Sequence, residues 1–188
     1  MFKLFILSLL CSLSLYGAGG DIPDKLVEVS ISSLEHNSSP YLAVSFKNAP
    51  HWHTYWENPG DAGLPTKIKL TGLEAVEMPW PTPEQYLENG NILVFGYDGA
   101  YTRFFKLLNP KASEVTLETQ WLACKHICIP GSYKTTFNLG SDLRVKTNNP
   151  FEVSKDELIS RLENLPKTLD NHEEVKIHFT RTDDQSIQ

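Results

Sequence analysis

Val115-Thr116-Leu117-Glu118-Thr119-Gln120-Trp121, then Leu122-Ala123-Cys124-Lys125-His126-Ile127-Cys128-Ile129-Pro130-Gly131, then Tyr133-Lys134-Thr135-Thr136-Phe137-Asn138-Leu139: the fold turns on these residues. Val115, Leu117, Thr119 and Trp121 share one face at a period of two, and Tyr133, Thr135, Phe137 and Leu139 share one face beyond the cysteines. That period marks strands with one buried side, because successive side chains point to opposite faces. The pattern predicts two strands around one loop, with Pro130-Gly131 as a turn signal just after the cysteines.

The same alternation recurs upstream. Val27, Val29 and Ile31 alternate with Glu28, Ser30 and Ser32, and Leu42, Val44 and Phe46 form an apolar row within Tyr41 to Lys47. The aromatic run His51-Trp52-His53-Thr54-Tyr55-Trp56 reads as a strand entering the long loop Asn58-Pro59-Gly60-Asp61-Ala62-Gly63. Alternation puts His51, His53 and Tyr55 on one face and Trp52, Thr54 and Trp56 on the other. Thr66 to Leu70 and Ala75 to Met78 are candidate short strands, whereas Pro79-Trp80-Pro81-Thr82-Pro83 is too proline-rich for a sheet interior and reads as an exposed connection. Leu93 to Gly96 and Tyr101 to Leu108 flank Tyr97-Asp98-Gly99-Ala100, which predicts a hairpin with Phe95 and Tyr97 near its tip. Ser154-Lys155-Asp156-Glu157 is a capping box ahead of Leu158, Ile159, Leu162 and Leu165, and Pro166 ends that helix. Val175, Ile177 and Phe179 alternate like one more strand inside a polar tail. The class is all-β: an immunoglobulin-like antiparallel β-sandwich with one short C-terminal helix.

Composition agrees with one domain. The chain has 188 residues, 40% hydrophobic and 21% charged, with nine Phe, seven Tyr, four Trp, twelve Pro and eleven Gly, which suits short strands and many turns. A net charge of -6 offers no general attraction for nucleic acid or anionic lipid. Met1-Phe2-Lys3, the apolar run Leu4 to Tyr16 and the small residues Gly17-Ala18-Gly19-Gly20 form a secretory signal pattern, with cleavage expected near Ala18 or Gly19. The run is shorter than the roughly 20 residues of a membrane-spanning helix. Cys11 lies inside it without the small residue expected before a lipidated cysteine, so lipoprotein processing is the weaker reading. The expected division is a signal peptide at 1–19, the sandwich at 20–150, and the helix with its polar tail at 151–188. No other apolar stretch has membrane length, so no membrane insertion is expected after signal removal.

The mature chain then keeps Cys124 and Cys128, and an even pair in an exported protein suggests a disulfide. In an extended strand residues four apart lie about 13 Å apart at roughly 3.3 Å per residue. Disulfide-linked Cα atoms sit about 4.4 to 6.8 Å apart, so the segment must bend if the two pair. The bland reading is a passive staple. Closing a five-residue ring stabilises by about 2 kcal/mol, against about 4.7 for a hundred-residue loop, so a staple this local does little for a sandwich. A small ring on an exposed loop is expected to be more reducible, and redox use is the favoured reading. Lys125 and His126 are candidate tuning residues, since nearby positive charge favours the attacking thiolate. Two other classes stay open. Cys124, His126 and Cys128 with His51 and His53 are donors suited to copper or zinc, although the spacing is not the usual one of structural zinc sites. A binding module with a passive disulfide is also compatible with the fold. No nucleophile elbow, phosphate-binding glycine loop or metalloprotease helix motif is present.

Residues Leu26 to Leu139 resemble the N-terminal periplasmic domain of the thiol:disulfide interchange protein DsbD and its disulfide-corrector relatives. The resemblance is carried by His51 to Trp56 with Asn58-Pro59-Gly60-Asp61, the Trp80-Pro81 loop, Phe95-Gly96-Tyr97-Asp98-Gly99, and above all Cys124-Lys125-His126-Ile127-Cys128-Ile129-Pro130-Gly131. It implies an immunoglobulin-like fold and a thiol:disulfide oxidoreductase that acts as an electron carrier without a cofactor. Its cysteine pair would pass electrons from a membrane-embedded thiol reductase to periplasmic disulfide isomerases and the thioredoxin-like proteins of cytochrome c biogenesis. By the same resemblance Cys128 is the thiol that forms mixed disulfides, Cys124 resolves them, and Phe95 with Tyr97 forms an aromatic cap loop over the pair. Better-known members separate their cysteines by more residues. The membrane-spanning and thioredoxin-like parts lie outside these 188 residues, so a free-standing carrier or a truncated frame is expected.

Overall fold

The alternating rows build the two sheets. In the computed structural model, which describes residue 23 and residues 25–167 except 89, 109, 112 and 141, the elements are β1 (Val27–His36), β2 (Ser39–Asn48), β3 (His53–Gly60), β4 (Lys67–Thr71), β5 (Ala75–Glu77), β6 (Glu84–Glu88), β7 (Ile92–Asp98), β8 (Ala100–Leu107), β9 (Ser113–Cys124), β10 (Cys128–Leu139), β11 (Val145–Lys146) and α1 (Lys155–Glu163). A four-stranded sheet runs β1-β2-β8-β5 and a second sheet runs β11-β10-β9-β3-β7-β6, with β4 also pairing β9. All the strand pairs are antiparallel. This is an immunoglobulin-like antiparallel β-sandwich. The proposed signal segment and the Val175–Phe179 alternation lie outside the described residues.

The inward rows are those the period of two picks out. Val29, Ile31, Leu42, Val44 and Phe46 from the first sheet meet Val115, Leu117, Phe137 and Leu139 from the second in one buried cluster. Phe46 stacks on Tyr101 at 5.0 Å, and Tyr101 on Tyr97 at 4.0 Å, aromatic contacts that add to area burial. The outer face of the first sheet is also covered. Ser154 caps α1 by accepting from the Glu157 N–H at 3.2 Å, while the Glu157 carboxylate turns to Arg161 at 2.6 Å instead of closing the capping box. Leu158, Leu162 and Leu165 bury against Leu34, Ala43 and Phe104. Ahead of α1, the Asn149 carboxamide accepts from the Ile31 N–H and donates to the Ile31 carbonyl, both at 2.9 Å, taking the place of a strand neighbour for β1.

Two expectations are corrected. The Tyr97–Ala100 segment is no hairpin: β7 pairs β3 and β6 in the second sheet, whereas β8 pairs β2 and β5 in the first. Gly99, at φ 80, is the point where the chain changes sheets, a conformation that costs glycine little. The hairpin in this region is β6–β7, and β6 carries no clear alternation that would announce it. His51 lies outside β3, exposed in the preceding turn at φ 65, so only His53 and Tyr55 share the expected face. The Pro79–Pro83 connection is irregular as expected, yet Trp80 is half-buried against the core under the guanidinium of Arg103, 3.1 Å from the ring centre. Arg103 is itself 1% exposed and ion-paired to Glu77.

Candidate functional site

Odd-numbered residues of β9 point into the sandwich, so Cys124 points out, onto the far face of the second sheet. Ala123 belongs to the main core cluster, while Cys124 joins Tyr55 and Val94 in a separate one, flanked by Ala62, Tyr86, Ile92 and Leu122. Cys128 opens β10 directly opposite Cys124, and a disulfide joins them across the end of the β9–β10 hairpin, with Cα atoms 4.1 Å apart. The strands provide the bend required for pairing: Lys125, His126 and Ile127 form the exposed connection, closed by a Lys125 N–H to Ile127 carbonyl bond of 3.1 Å. The two sulfurs are not equivalent in access. Cys124 is 1% exposed, whereas Cys128 is exposed.

Tyr55, fully buried on β3, is the side chain that reaches the bond: its Oη lies 3.9 Å from Cys128 Sγ and donates to Glu88 Oε1 at 2.8 Å. The same carboxylate oxygen lies 2.8 Å from His53 Nε2. The His53 ring stacks on Tyr86 and meets Tyr55 edge-on, each at 5.2 Å. Burial, then the hydrogen bond and charge of Glu88, push the Tyr55 phenol well above the ordinary tyrosine range; Tyr86 is raised by burial and by Glu84 in the same way. Tyr55 therefore stays a neutral phenol beside the sulfur. Gly63, at φ 100, passes so close over the Tyr55 ring that a Cβ would overlap it, which holds the ring down.

The cysteines thus come together where the spacing placed them, with Lys125 and His126 exposed beside them. The expected aromatic cover differs. Alternation along β7 turns Val94 toward the disulfide and sends Phe95 and Tyr97 to the other face. There Phe95 meets Trp56 edge-on at 6.3 Å, and Tyr97 stacks on Tyr101 and donates to the Pro81 carbonyl at 2.8 Å. Tyr55 and Val94 pack with Cys124, Tyr86 packs against that cluster, and Glu88 holds the Tyr55 hydroxyl beside Cys128; none of the four is a site residue in the sequence analysis. Glu88 could be found only by knowing that β6 folds back along β7, the strand next to β3. Among the described residues no group of three or more His, Cys, Asp or Glu side chains is arranged to hold a metal ion. The alternative ligand set also loses His51 to its turn.

An immunoglobulin-like sandwich with a disulfide closing an exposed hairpin end, one sulfur open and one buried, defines a thiol:disulfide interchange domain. The family described as "Thiol:disulfide interchange protein DsbD, N-terminal" matches residues 23–140, and the chain belongs to it. The crystal structure of the N-terminal periplasmic domain of ScsB from Proteus mirabilis is similar, with a TM-score of 0.53 at 20% identity over 77% of this chain. The likeness covers 55% of that chain, so the present one spans about half its length. The reduced DsbD n-terminal domain of Neisseria meningitidis has a TM-score of 0.42 at 12% identity, covering 63% of this chain and 88% of that one. No curated protein matches. Among the described residues no helix is long and apolar enough to cross a membrane.

Proposed function

We propose that this domain, exported to the periplasm by residues 1–19, carries two electrons at a time through Cys124 and Cys128. The donor is a membrane-embedded thiol reductase, and the recipients are exported thioredoxin-like proteins, disulfide isomerases and the thioredoxins of cytochrome c biogenesis among them. The observation that carries the reading is the unequal access of two sulfurs in one bond, Cys124 at 1% and Cys128 exposed. A donor thiolate attacks Cys128 Sγ and the Cys124–Cys128 bond breaks, releasing Cys124 as thiolate, which takes up a proton. The donor's second thiolate then attacks its own sulfur in the mixed disulfide and releases Cys128. In the second half Cys128 attacks a partner's disulfide, one partner sulfur leaves as thiolate, and Cys124 displaces the other to re-form the Cys124–Cys128 bond. Each cycle moves two electrons and two protons. Lys125, and His126 when protonated, favour the thiolate form of their neighbour.

Two measurements test this. Across a glutathione redox series the oxidised chain should show a single two-electron transition while remaining folded; resistance to reduction until unfolding would mark a passive staple. Cys124→Ser should accumulate a mixed disulfide through Cys128, and accumulation only with Cys128→Ser would reverse the two roles.

A further inference from the structure

β10 has β9 along one side for its whole length, but among the described residues its other side is paired only at Asn138 and Leu139, by β11. The Cα separation of 4.1 Å at Cys124 and Cys128 identifies a non-hydrogen-bonded pair, for which about 4.5 Å is usual, against about 5.5 Å for a hydrogen-bonded one. From that register the backbone N–H and C=O of Cys128, Ser132, Lys134 and Thr136, and the carbonyl of Pro130, point away from β9 onto the open edge. Asn138, next in the series, is opposite Lys146 of β11, as the register requires. The inward row of β10 completes the picture: Ile129 and Tyr133, with Trp121 and Leu26, line a groove of about 710 Å³ between this edge and β1.

We propose that the cysteine-flanking segment of a disulfide partner adds to this edge as an extended strand. It would pair its backbone with Ser132 and Lys134 and lay alternate side chains in the groove. The inference rests on the interchange reading above and names how the partner is held. An added strand runs about 4.8 Å from its neighbour, and disulfide-linked Cα atoms are about 4.4 to 6.8 Å apart. A partner cysteine in such a strand therefore lies within bonding reach of Cys128 while its neighbours continue along β10. Backbone pairing supplies affinity without demanding one sequence, which suits a carrier with more than one client. A second copy of this chain fits the edge poorly. Pro130 and Lys134 are residues that blunt self-pairing, and two copies carry the same net charge of -6.

The test uses the exported chain after signal removal, residues 20–188, as its Cys124→Ser variant, so that Cys128 is its one thiol, and two probes, glutathione and an extended synthetic peptide of about eight residues with a central cysteine. Both are delivered as nitrothiobenzoate mixed disulfides. Loading with the peptide should slow amide exchange at Ser132 and Lys134 by about tenfold or more relative to the glutathione-loaded chain. Ser132→Pro and Lys134→Pro remove outward N–H groups and leave the backbone β9–β10 ladder intact, the second also losing the exposed Lys134–Glu118 ion pair, whose loss alone Lys134→Gln reads. Each proline variant should slow the reaction with the peptide by about tenfold and leave that with glutathione unchanged. Equal exchange under the two probes overturns the proposal, and so does protection of these amides before loading, or a slowing shared by both probes. The exchange measurement needs neither proline variant, so a misfolded one does not weaken it. If neither probe forms a mixed disulfide, the interchange reading falls and takes this one with it. If both form it without protection at β10, only the strand-addition proposal falls.

Discussion

Tyr55 commits its proton to Glu88 and turns its oxygen toward Cys128 Sγ at 3.9 Å. That oxygen can accept from a thiol S–H, and the negative carboxylate held on the far side of the phenol is a reason for a reduced Cys128 to keep its proton. Removing the carboxylate's charge should reverse this: in the reduced protein, Glu88→Gln is expected to speed alkylation of Cys128 at neutral pH by about threefold to tenfold, as a lower thiol pKa requires. An unchanged rate would mean that Glu88 only holds β6 in place. Gly63 gives a second residue-level prediction. An Ala Cβ there would overlap the Tyr55 ring at a φ of 100, so Gly63→Ala should destabilise the chain by about 1–3 kcal/mol. It should also raise the rate at which dithiothreitol reduces the bond; urea unfolding and reduction kinetics read the two effects. The cysteine pair was legible in the sequence, but Tyr55 and Glu88 stand 33 residues apart. Only the placing of β3 and β6 on either side of β7 brings Glu88 to the phenol that touches the sulfur.

At the level of elements, periodicity was sufficient wherever one face of a strand is buried and the other exposed. It placed β1, β2, β9, β10 and α1, each of which keeps an apolar row. It failed at Asp98-Gly99, because a turn-forming dipeptide marks a change of direction without saying which sheet receives the next strand. It failed again at β6, an edge strand whose exposed Leu87 and half-buried Tyr86 blur the alternation. The docking of α1 yields its own prediction. Leu162→Ala should cost about 2–4 kcal/mol through the cavity it leaves against Phe104 and Ala43. Ser154→Ala should cost about 1 kcal/mol through the lost cap. Both are measured by denaturant unfolding, and neither should alter the exchange rate at Cys128, since α1 covers the first sheet and the disulfide lies on the outer face of the second.

For the whole molecule, stability resides in the sandwich core and little of it in the sulfur bond. Opening a ring of five residues removes about 2 kcal/mol at most in the chain-entropy account. Reduced and oxidised chains should therefore unfold within about 2 kcal/mol of each other; a larger gap would restore the passive-staple reading. Alkali acts on the core instead. Burial pushes Tyr101 up to about 12, against hydrogen bonds from Thr54 and Thr66 that lower it. Above pH 10 the unfolded chain loses this proton while the folded chain keeps it, so the unfolded state binds fewer protons and stability falls as pH rises. Tyr101 alone contributes a loss of about 1.4 kcal/mol per pH unit between 10 and 12. Phenolate absorbance from the buried tyrosines should emerge together with unfolding, and a smooth titration of all of them in the folded state would contradict this.

The difference in exposure between Cys124 and Cys128 has a bearing on how the chain meets oxidising conditions. With one sulfur of the pair open to bulk solvent, small reagents should attach at Cys128 first: intact mass spectra of reduced residues 20–188 incubated with glutathione disulfide should show a single transient addition that gives way to the internal disulfide, whereas Cys124→Ser should keep its adduct. If Cys124 resolves as proposed, the inner sulfur, shielded from such reagents, would expel what has attached, and the domain would clear its own blockage without a repair enzyme.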